Sequence, residues 1–245
     1  MSRKERIDKL LVDSGLVQSR ERAKALIMEG KVLVSGIPVT KPGTMIDATA
    51  PVILKADDIP FVGRGGVKLE SALDHFSVDL SDKIIMDVGC STGGFTDCVL
   101  KKNAGKVYAI DVGYGQFDWR LRKDPRVVLL EKTNIRYLER ERITDGIDCA
   151  VIDVSFISLL KVLPKVREFL VPHGEVLALI KPQFEVGRFQ VGRGGVVKDE
   201  TLRLAVVEQV KDGAAEMGYT VKGIVPSAIT GQKGNVEYFI YLGRG

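Results

Sequence analysis

Four charged residues stand where an α/β protein can do chemistry. Asp153 closes an apolar run that begins at Ile147, and Lys181 closes a second one that begins at Glu175. Functional residues of wound sheets gather at the carboxyl ends of strands. Pro182 follows Lys181 and holds it extended at the rim. A lysine in that place, close to a carboxylate and partly removed from water, can be tuned as a general base. A hydroxyl is a weak nucleophile and must lose its proton as it attacks, so such a base has a natural task. Lys68, in an expected helix over 67–75, and Glu237, in the last strand, frame the pair. Taken singly, a lysine before proline reads equally well as a rim salt bridge. A glutamate in a final strand reads equally well as a surface residue.

A second constellation bears on what would be attacked. The stretch from Ile84 to Asp97 reads as a buried strand, a glycine-rich turn and the start of a helix. Such a unit turns backbone N–H groups and a helix N-terminus toward a bound cofactor. A dinucleotide site asks for Gly-x-Gly-x-x-Gly, whereas these glycines fall at Gly89, Gly93 and Gly94, with the acid Asp87 inside the turn. A carboxylate aimed at the ligand is awkward beside a pyrophosphate. It suits a ligand that carries an ammonium and a sulfonium, which favours S-adenosylmethionine over NAD. On its own the glycine turn also fits an ordinary strand–helix corner. One step later, Lys106 to Asp111 is another apolar run that ends in an acid, placed to accept the hydroxyls of a cofactor ribose. The expected cofactor contacts are Asp87, Gly89, Cys90, Ser91, Thr92, Gly93, Gly94, Phe95, Asp111 and Val112, with Asn134 bordering the adenine.

The elements that must hold these residues alternate. Strands are expected at 84–88, 106–110, 127–130, 147–153 and 175–181, and helices at 158–170 and 199–217. Two closing strands, 223–225 and 236–242, follow. The fold class expected is α/β, a doubly wound, mostly parallel sheet. At 245 residues the chain has room for this domain and a small second one. Hydrophobic residues make up 45% and charged residues 28%, which fits a soluble protein. No apolar run approaches the roughly 18 residues of a membrane helix. The opening Met1 to Arg6 has no apolar core behind it, so no secretory leader is expected. Three cysteines, Cys90, Cys98 and Cys149, and two distant histidines have no metal-ligand spacing, so no metal is expected and the composition points to the cytoplasm.

The charge is uneven. Residues 1–56 hold ten Lys/Arg against six Asp/Glu, while 57–245 hold 26 of each, so the whole excess of +4 sits in the first quarter. That is the footprint of a surface that meets phosphates. This quarter reads as two short helices, the second capped by Ser19, followed by strands. Arg20, Arg22, Lys24 and Lys31 are expected on one face against a structured RNA backbone. Arg64 and the glycine-rich basic stretch 187–198, with Arg188 and Arg193, are further candidate RNA contacts. The expected division is an RNA-binding domain over 1–58, a linker over 59–66 and a cofactor domain over 67–245.

Ile7-Asp8-Lys9-Leu10-Leu11, Gly15-Leu16-Val17-Gln18-Ser19-Arg20, Gly30-Lys31-Val32 and Val34-Ser35-Gly36 resemble the S4 RNA-binding domain. In order and context, Lys68, Asp153, Lys181 and Glu237 resemble the Lys-Asp-Lys-Glu tetrad of FtsJ-type ribose 2′-O-methyltransferases. The runs Arg64-Gly65-Gly66-Val67-Lys68-Leu69, Asp111-Val112-Gly113-Tyr114-Gly115-Gln116, Asp153-Val154-Ser155-Phe156-Ile157-Ser158, Lys181-Pro182-Gln183-Phe184-Glu185-Val186-Gly187 and Gly234-Asn235-Val236-Glu237-Tyr238-Phe239 are closer still to the TlyA, or hemolysin A, family. That family joins an S4 domain to an FtsJ-like methyltransferase. The resemblance implies a Rossmann-like methyltransferase fold behind a small α+β S4-like domain. It implies 2′-O-methylation of ribosomal RNA cytidines in ribosomal subunits, with S-adenosylmethionine as donor and the tetrad as catalytic residues.

Competing classes are weaker. A base N-methyltransferase places Asn/Asp-Pro-Pro-Tyr/Phe after the fourth strand, where this chain has Asp153-Val154-Ser155-Phe156. A haemolytic protein, as the family label suggests, needs a membrane span or a strongly amphipathic basic helix. An RNA-binding protein without catalysis would have no use for the tetrad.

Overall fold

The computed structural model describes residues 4–17, 19–54, 60–187, 190–192, 194–231 and 233–245. The chain forms two compact units, Met1–Ile59 and Pro60–Gly245.

In the first unit β1 (Lys4–Arg6) runs straight into α1 (Ile7–Asp13). Ser19 caps α2 (Arg20–Met28), its Oγ accepting the Arg22 N–H at 3.2 Å, as its position before the apolar stripe predicts. The strands β2 (Val32–Val34), β3 (Ile37–Val39), β4 (Met45–Asp47) and β5 (Val52–Leu54) follow. They pair as a β3-β2-β5 sheet and a separate β1-β4 ladder. Ile7, Leu11, Ala23, Leu26, Ile27 and Val32 interlock as the core. The strand β1 has no counterpart in the sequence reading. Lys-Glu-Arg shows no alternation, and its pairing with Met45–Asp47 is set by the distant partner.

The second unit contains α3 (Gly65–Phe76), β6 (Ile84–Val88), α4 (Gly94–Lys101), β7 (Lys106–Ile110), α5 (Trp119–Arg122), β8 (Val127–Leu130) and β9 (Ile147–Ile152). It continues with α6 (Leu163–Phe169), β10 (Leu170–Ile180), α7 (Pro182–Glu185), α8 (Glu200–Glu216), β11 (Tyr219–Pro226) and β12 (Tyr238–Arg244). The seven strands order as β11-β12-β10-β9-β6-β7-β8. The strands β6 to β10 are parallel, and β12 runs against both of its neighbours. This is the expected mostly parallel, doubly wound sheet. Its central strands are buried on both faces and read as continuous apolar runs for that reason.

Three elements depart from expectation. The helix expected over 158–170 is a 3-10 turn, Leu159–Lys161, followed by α6, because Pro164 suits the first turn of a helix rather than its interior. The strand β10 starts at Leu170 and shifts register before Glu175. Residues 60–66, expected as linker, lie within the second unit. Phe61 is buried, the Val62 N–H donates to Asp97 at 2.8 Å, and α3 already begins at Gly65. A Cβ on Gly66 would overlap the Phe61 ring, so this glycine lets the lead-in fold onto the helix.

Candidate active site

The antiparallel ladder of β10 and β12 pairs Ile180 with Tyr238, which sets Lys181 opposite Glu237 one step beyond the paired ends. The strand β9 pairs Ala178 with Ile152, which brings Asp153 to the same edge. Lys68 reaches that edge from the first turn of α3 and bonds Glu237 Oε2 at 2.6 Å. The two side chains are 8% and 3% exposed, so this is a buried ion pair. Lys181 forms a second ion pair with Asp153 and donates to Ser155 Oγ at 3.0 Å. Gln183, two residues after Lys181, donates Nε2 to Glu237 Oε1 at 3.2 Å. A Cβ on Gly65, one turn before Lys68, would lie 3.9 Å from Asp153 Oδ2. The four expected catalytic residues therefore meet at one end of the sheet, as two charge-balanced pairs.

A cavity of about 970 Å³ opens beside them, within the size range of small-molecule sites. Gly89, Ser91, Asp111, Val112, Asn134 and Asp153 line it. Gly89 has φ +86°, and a Cβ there would overlap the Asp153 carbonyl oxygen. The Asp153 N–H also donates to Val88 O at 2.9 Å. The turn that borders the cavity and the strand end that carries Asp153 are thus packed back to back. Asp111 ties the cavity walls together. Its Oδ2 accepts the Ser91 N–H at 2.8 Å, and its Oδ1 accepts the Gly113 N–H at 2.6 Å and Gln116 Nε2 at 3.2 Å. Two carboxylate oxygens offer about four acceptor sites, so capacity for a ligand hydroxyl remains. Asn134 caps the 3-10 turn that starts at Ile135, its side chain accepting the Arg136 N–H at 3.1 Å.

The other expected cofactor contacts are placed differently. Asp87 is fully buried behind the turn and accepts Thr96 Oγ1 at 2.6 Å, so it faces the protein and not the cavity. Burial lifts its carboxyl to about 7, against the pull of the Thr96 hydroxyl, and its Oδ1 has no hydrogen-bond partner. Cys90 is 3% exposed. Gly93 packs on Phe117 and Leu121, Gly94 on Gly63, and the Phe95 ring on Gly65 and Phe239. Thr92 is exposed beside Gly63. None of these six lines the cavity. The pattern of types that suggested the turn does not say which way each side chain faces. Burial pushes the thiols of Cys90, Cys98 and Cys149 up, which keeps them protonated.

Two aromatic residues were not singled out from sequence. Phe156 is 91% exposed, holds φ +64° and packs on Phe184 with ring centroids 4.9 Å apart and the planes tilted by 47°. Both line the cavity. A left-handed backbone at a bulky residue is costly and is found at functional sites. No periodicity in the sequence signals it.

In the first unit Arg20 has a structural task. It donates to Asp8 Oδ2 at 3.0 Å, beside two bonds from Arg6 at 2.9 Å. Asp8 is fully buried, and these guanidinium groups hold its carboxyl well below the usual carboxylate range. Lys31 pairs with Glu29 at 2.7 Å, Arg22 and Lys24 lie half-buried on α2, and Arg64 is exposed at the start of α3. Arg188 and Arg193 lie outside the described residues. Among the described residues no helix is long and apolar enough to cross a membrane, and no group of three or more His, Cys, Asp or Glu residues is placed to hold a metal.

Comparison with known proteins adds to this geometry. The sequence pattern of the family described as FtsJ-like methyltransferase matches residues 61–244, and that of the S4 domain matches residues 5–52. The provisionally named rRNA methyltransferase YqxC of Bacillus subtilis (strain 168) is 48% identical over 242 residues, which span 98% of this chain and 86% of that one. The 16S/23S rRNA (cytidine-2′-O)-methyltransferase TlyA of Mycobacterium tuberculosis is 45% identical over 243 residues, 99% of this chain and 91% of that one. A solved structure from Streptococcus thermophilus, provisionally named a hemolysin, superposes with a TM-score of 0.78 at 43% identity, covering 100% of this chain and 90% of that one.

Proposed function

The chain belongs to the FtsJ-like methyltransferase family and carries an S4 domain ahead of it, and from that premise we propose that it transfers a methyl group from S-adenosylmethionine to the 2′-hydroxyl of a cytidine in ribosomal RNA. The observation that carries the reading is the meeting of Lys68–Glu237 and Lys181–Asp153 beside a cavity of cofactor size. The donor set fits the cofactor. Asp111 offers acceptors to a ribose, Asn134 offers an amide edge to an adenine, and the acidic rim suits a cationic sulfur. The bound cofactor supplies a methyl on a positively charged sulfur, a leaving group that departs neutral.

The protein's own residues do the rest. Lys181 directs its Nζ toward the attacking oxygen, where its charge stabilises the developing alkoxide. Lys181 and Asp153 receive the proton as one unit. Lys68 and Glu237 keep that end of the site charge-balanced and orient the ribose. Phe156 and Phe184 offer an aromatic face on which an unstacked base can lie. The S4 unit holds structured RNA through Arg20, Arg22, Lys24 and Lys31, with Arg64, Arg188 and Arg193 as further contacts from the catalytic unit. A protein that acts on ribosomal subunits works in the cytoplasm, and this compartment is part of the proposal. The test is to incubate it with methyl-labelled S-adenosylmethionine and ribosomal subunits, then digest the RNA to nucleosides. Label in 2′-O-methylcytidine is expected, and label in a base-methylated nucleoside overturns the reading.

A further inference from the structure

Every side chain of α7, Pro182–Glu185, is committed. Pro182 is buried, Phe184 packs against Phe156, and Glu185 accepts the Leu159 N–H at 2.7 Å. Gln183 donates to Glu237 at 3.2 Å. An ionised carboxylate only accepts, so the amide nitrogen must face Glu237 and the amide oxygen must point away. That oxygen, Gln183 Oε1, is buried without a hydrogen-bond partner. Burying an unmet acceptor is destabilising, and an apolar side chain of the same length would avoid it. Methionine would remove that unmet oxygen but would leave Glu237 Oε1 without its donor, so what the amide supplies at this position is the bond to Glu237.

That donor acts on a carboxylate held from three sides. Among the described residues, the groups facing Glu237 are Lys68 Nζ on α3, Gln183 Nε2 on α7, and Gly231 ahead of β12. A Cβ on Gly231 would come within 2.6 Å of Glu237 Oε1. Of the three, Gln183 alone belongs to the segment that also carries Lys181, whose ion pair with Asp153 lies two residues away in sequence.

We propose that Gln183 is a positioning residue for methyl transfer, fixing the Glu237–Lys68 pair relative to the Lys181–Asp153 pair. The proposal rests on the reading that these pairs are the catalytic groups. Without the Gln183 donor, the Glu237 carboxylate is free to rotate and Lys68 follows it. The cavity residues keep their places, so cofactor binding is not touched.

The test uses the full chain with Gln183→Met and Gln183→Glu. Urea unfolding, S-adenosylmethionine affinity, and kcat and KM on ribosomal subunits are measured over about pH 6 to 9. Gln183→Met is expected to stay folded with close to wild-type stability, since relief of the unmet amide oxygen offsets the donor lost to Glu237, and to bind cofactor equally well. Its kcat should fall about 10- to 100-fold at unchanged KM, because the Glu237–Lys68 pair is no longer held in place relative to Lys181. In Gln183→Glu the new carboxyl donates to Glu237 only when protonated, so its activity relative to wild type should rise as pH falls. A methionine variant with wild-type kcat overturns the proposal, as does a loss of kcat that merely tracks lost stability. An equal, pH-independent loss in both variants overturns it too. A wild-type protein that methylates no ribose overturns the functional reading itself, and this proposal with it.

Discussion

Breaking the Lys68–Glu237 pair should cost more than deleting it. The two charges lie 2.6 Å apart with 8% and 3% of their side chains exposed. At an effective dielectric of about 20, that separation corresponds to about 6 kcal/mol of attraction. Removing both ions from water costs a similar amount, so the pair is nearly neutral against an apolar replacement. Removing one partner strands the other, at about 3–5 kcal/mol. We therefore expect Lys68→Met and Glu237→Leu each to lose about 3–5 kcal/mol, while the double variant loses about 1–2 kcal/mol, chiefly from the orphaned Gln183 donor. The chain has one tryptophan, Trp119, and it lies in the second unit, so its fluorescence in urea reports that unit alone. All three variants should be inactive in methyl transfer. Single-variant losses below about 1 kcal/mol, or a double-variant loss equal to their sum, would refute the coupled burial of this pair.

Asp111→Asn should weaken S-adenosylmethionine binding about 10- to 100-fold by calorimetry with the fold retained, since an amide cannot accept on both sides and loses a charge-assisted bond to the ribose; unchanged affinity would remove Asp111 from the site. Glu175 offers a pH test. Burial works to raise its carboxyl, but bonds from Lys222 at 2.7 Å, from Tyr241 and from Lys83 at 3.1 Å outweigh that and hold it at about 2. An acid depressed by folding stabilises above its unfolded value and ceases to do so as pH falls through the folded one. About 3 kcal/mol should thus be lost between about pH 4.5 and pH 2, and Glu175→Gln should lack that slope, as urea titrations across this range will show. A parallel slope in the variant would contradict it.

The strand–turn–helix from Ile84 to Lys101 was legible because its signals are local: an apolar run, then glycines in positions that a sharp turn needs. The rim positions of Asp153 and Lys181 were legible for the same reason, each ending an apolar run. Facing was not. Asp87 and Thr96 bond across nine residues behind the turn, and nothing in the Asp-x-Gly spacing says that the acid turns inward. Gly65 and Gly66 looked like a linker because two glycines disfavour a helix interior. Here they stand at its first turn, where Phe61 and Phe95 need the space that a Cβ would take. That Arg20 also holds the buried Asp8 was not legible, because the two lie twelve residues apart, beyond any local pattern. The Gln183–Glu237 bond spans 54 residues and depends on the β10–β12 register, which only the folded sheet provides.

The central claim is that Lys181, at the sheet edge beside Asp153, acts on a ribose hydroxyl and not on the cofactor. Wild type and Lys181→Ala are each incubated with S-adenosylmethionine and ribosomal subunits, and the RNA is then cleaved with alkali and read as a ladder. A 2′-O-methyl group blocks the hydroxyl that attacks the neighbouring phosphate, so the methylated linkage resists cleavage. The account predicts a gap at a cytidine with the wild type. It predicts a complete ladder with Lys181→Ala, even though calorimetry gives that variant nearly unchanged cofactor affinity. A gap that persists with Lys181→Ala, or methylated wild-type RNA with a complete ladder, would contradict it.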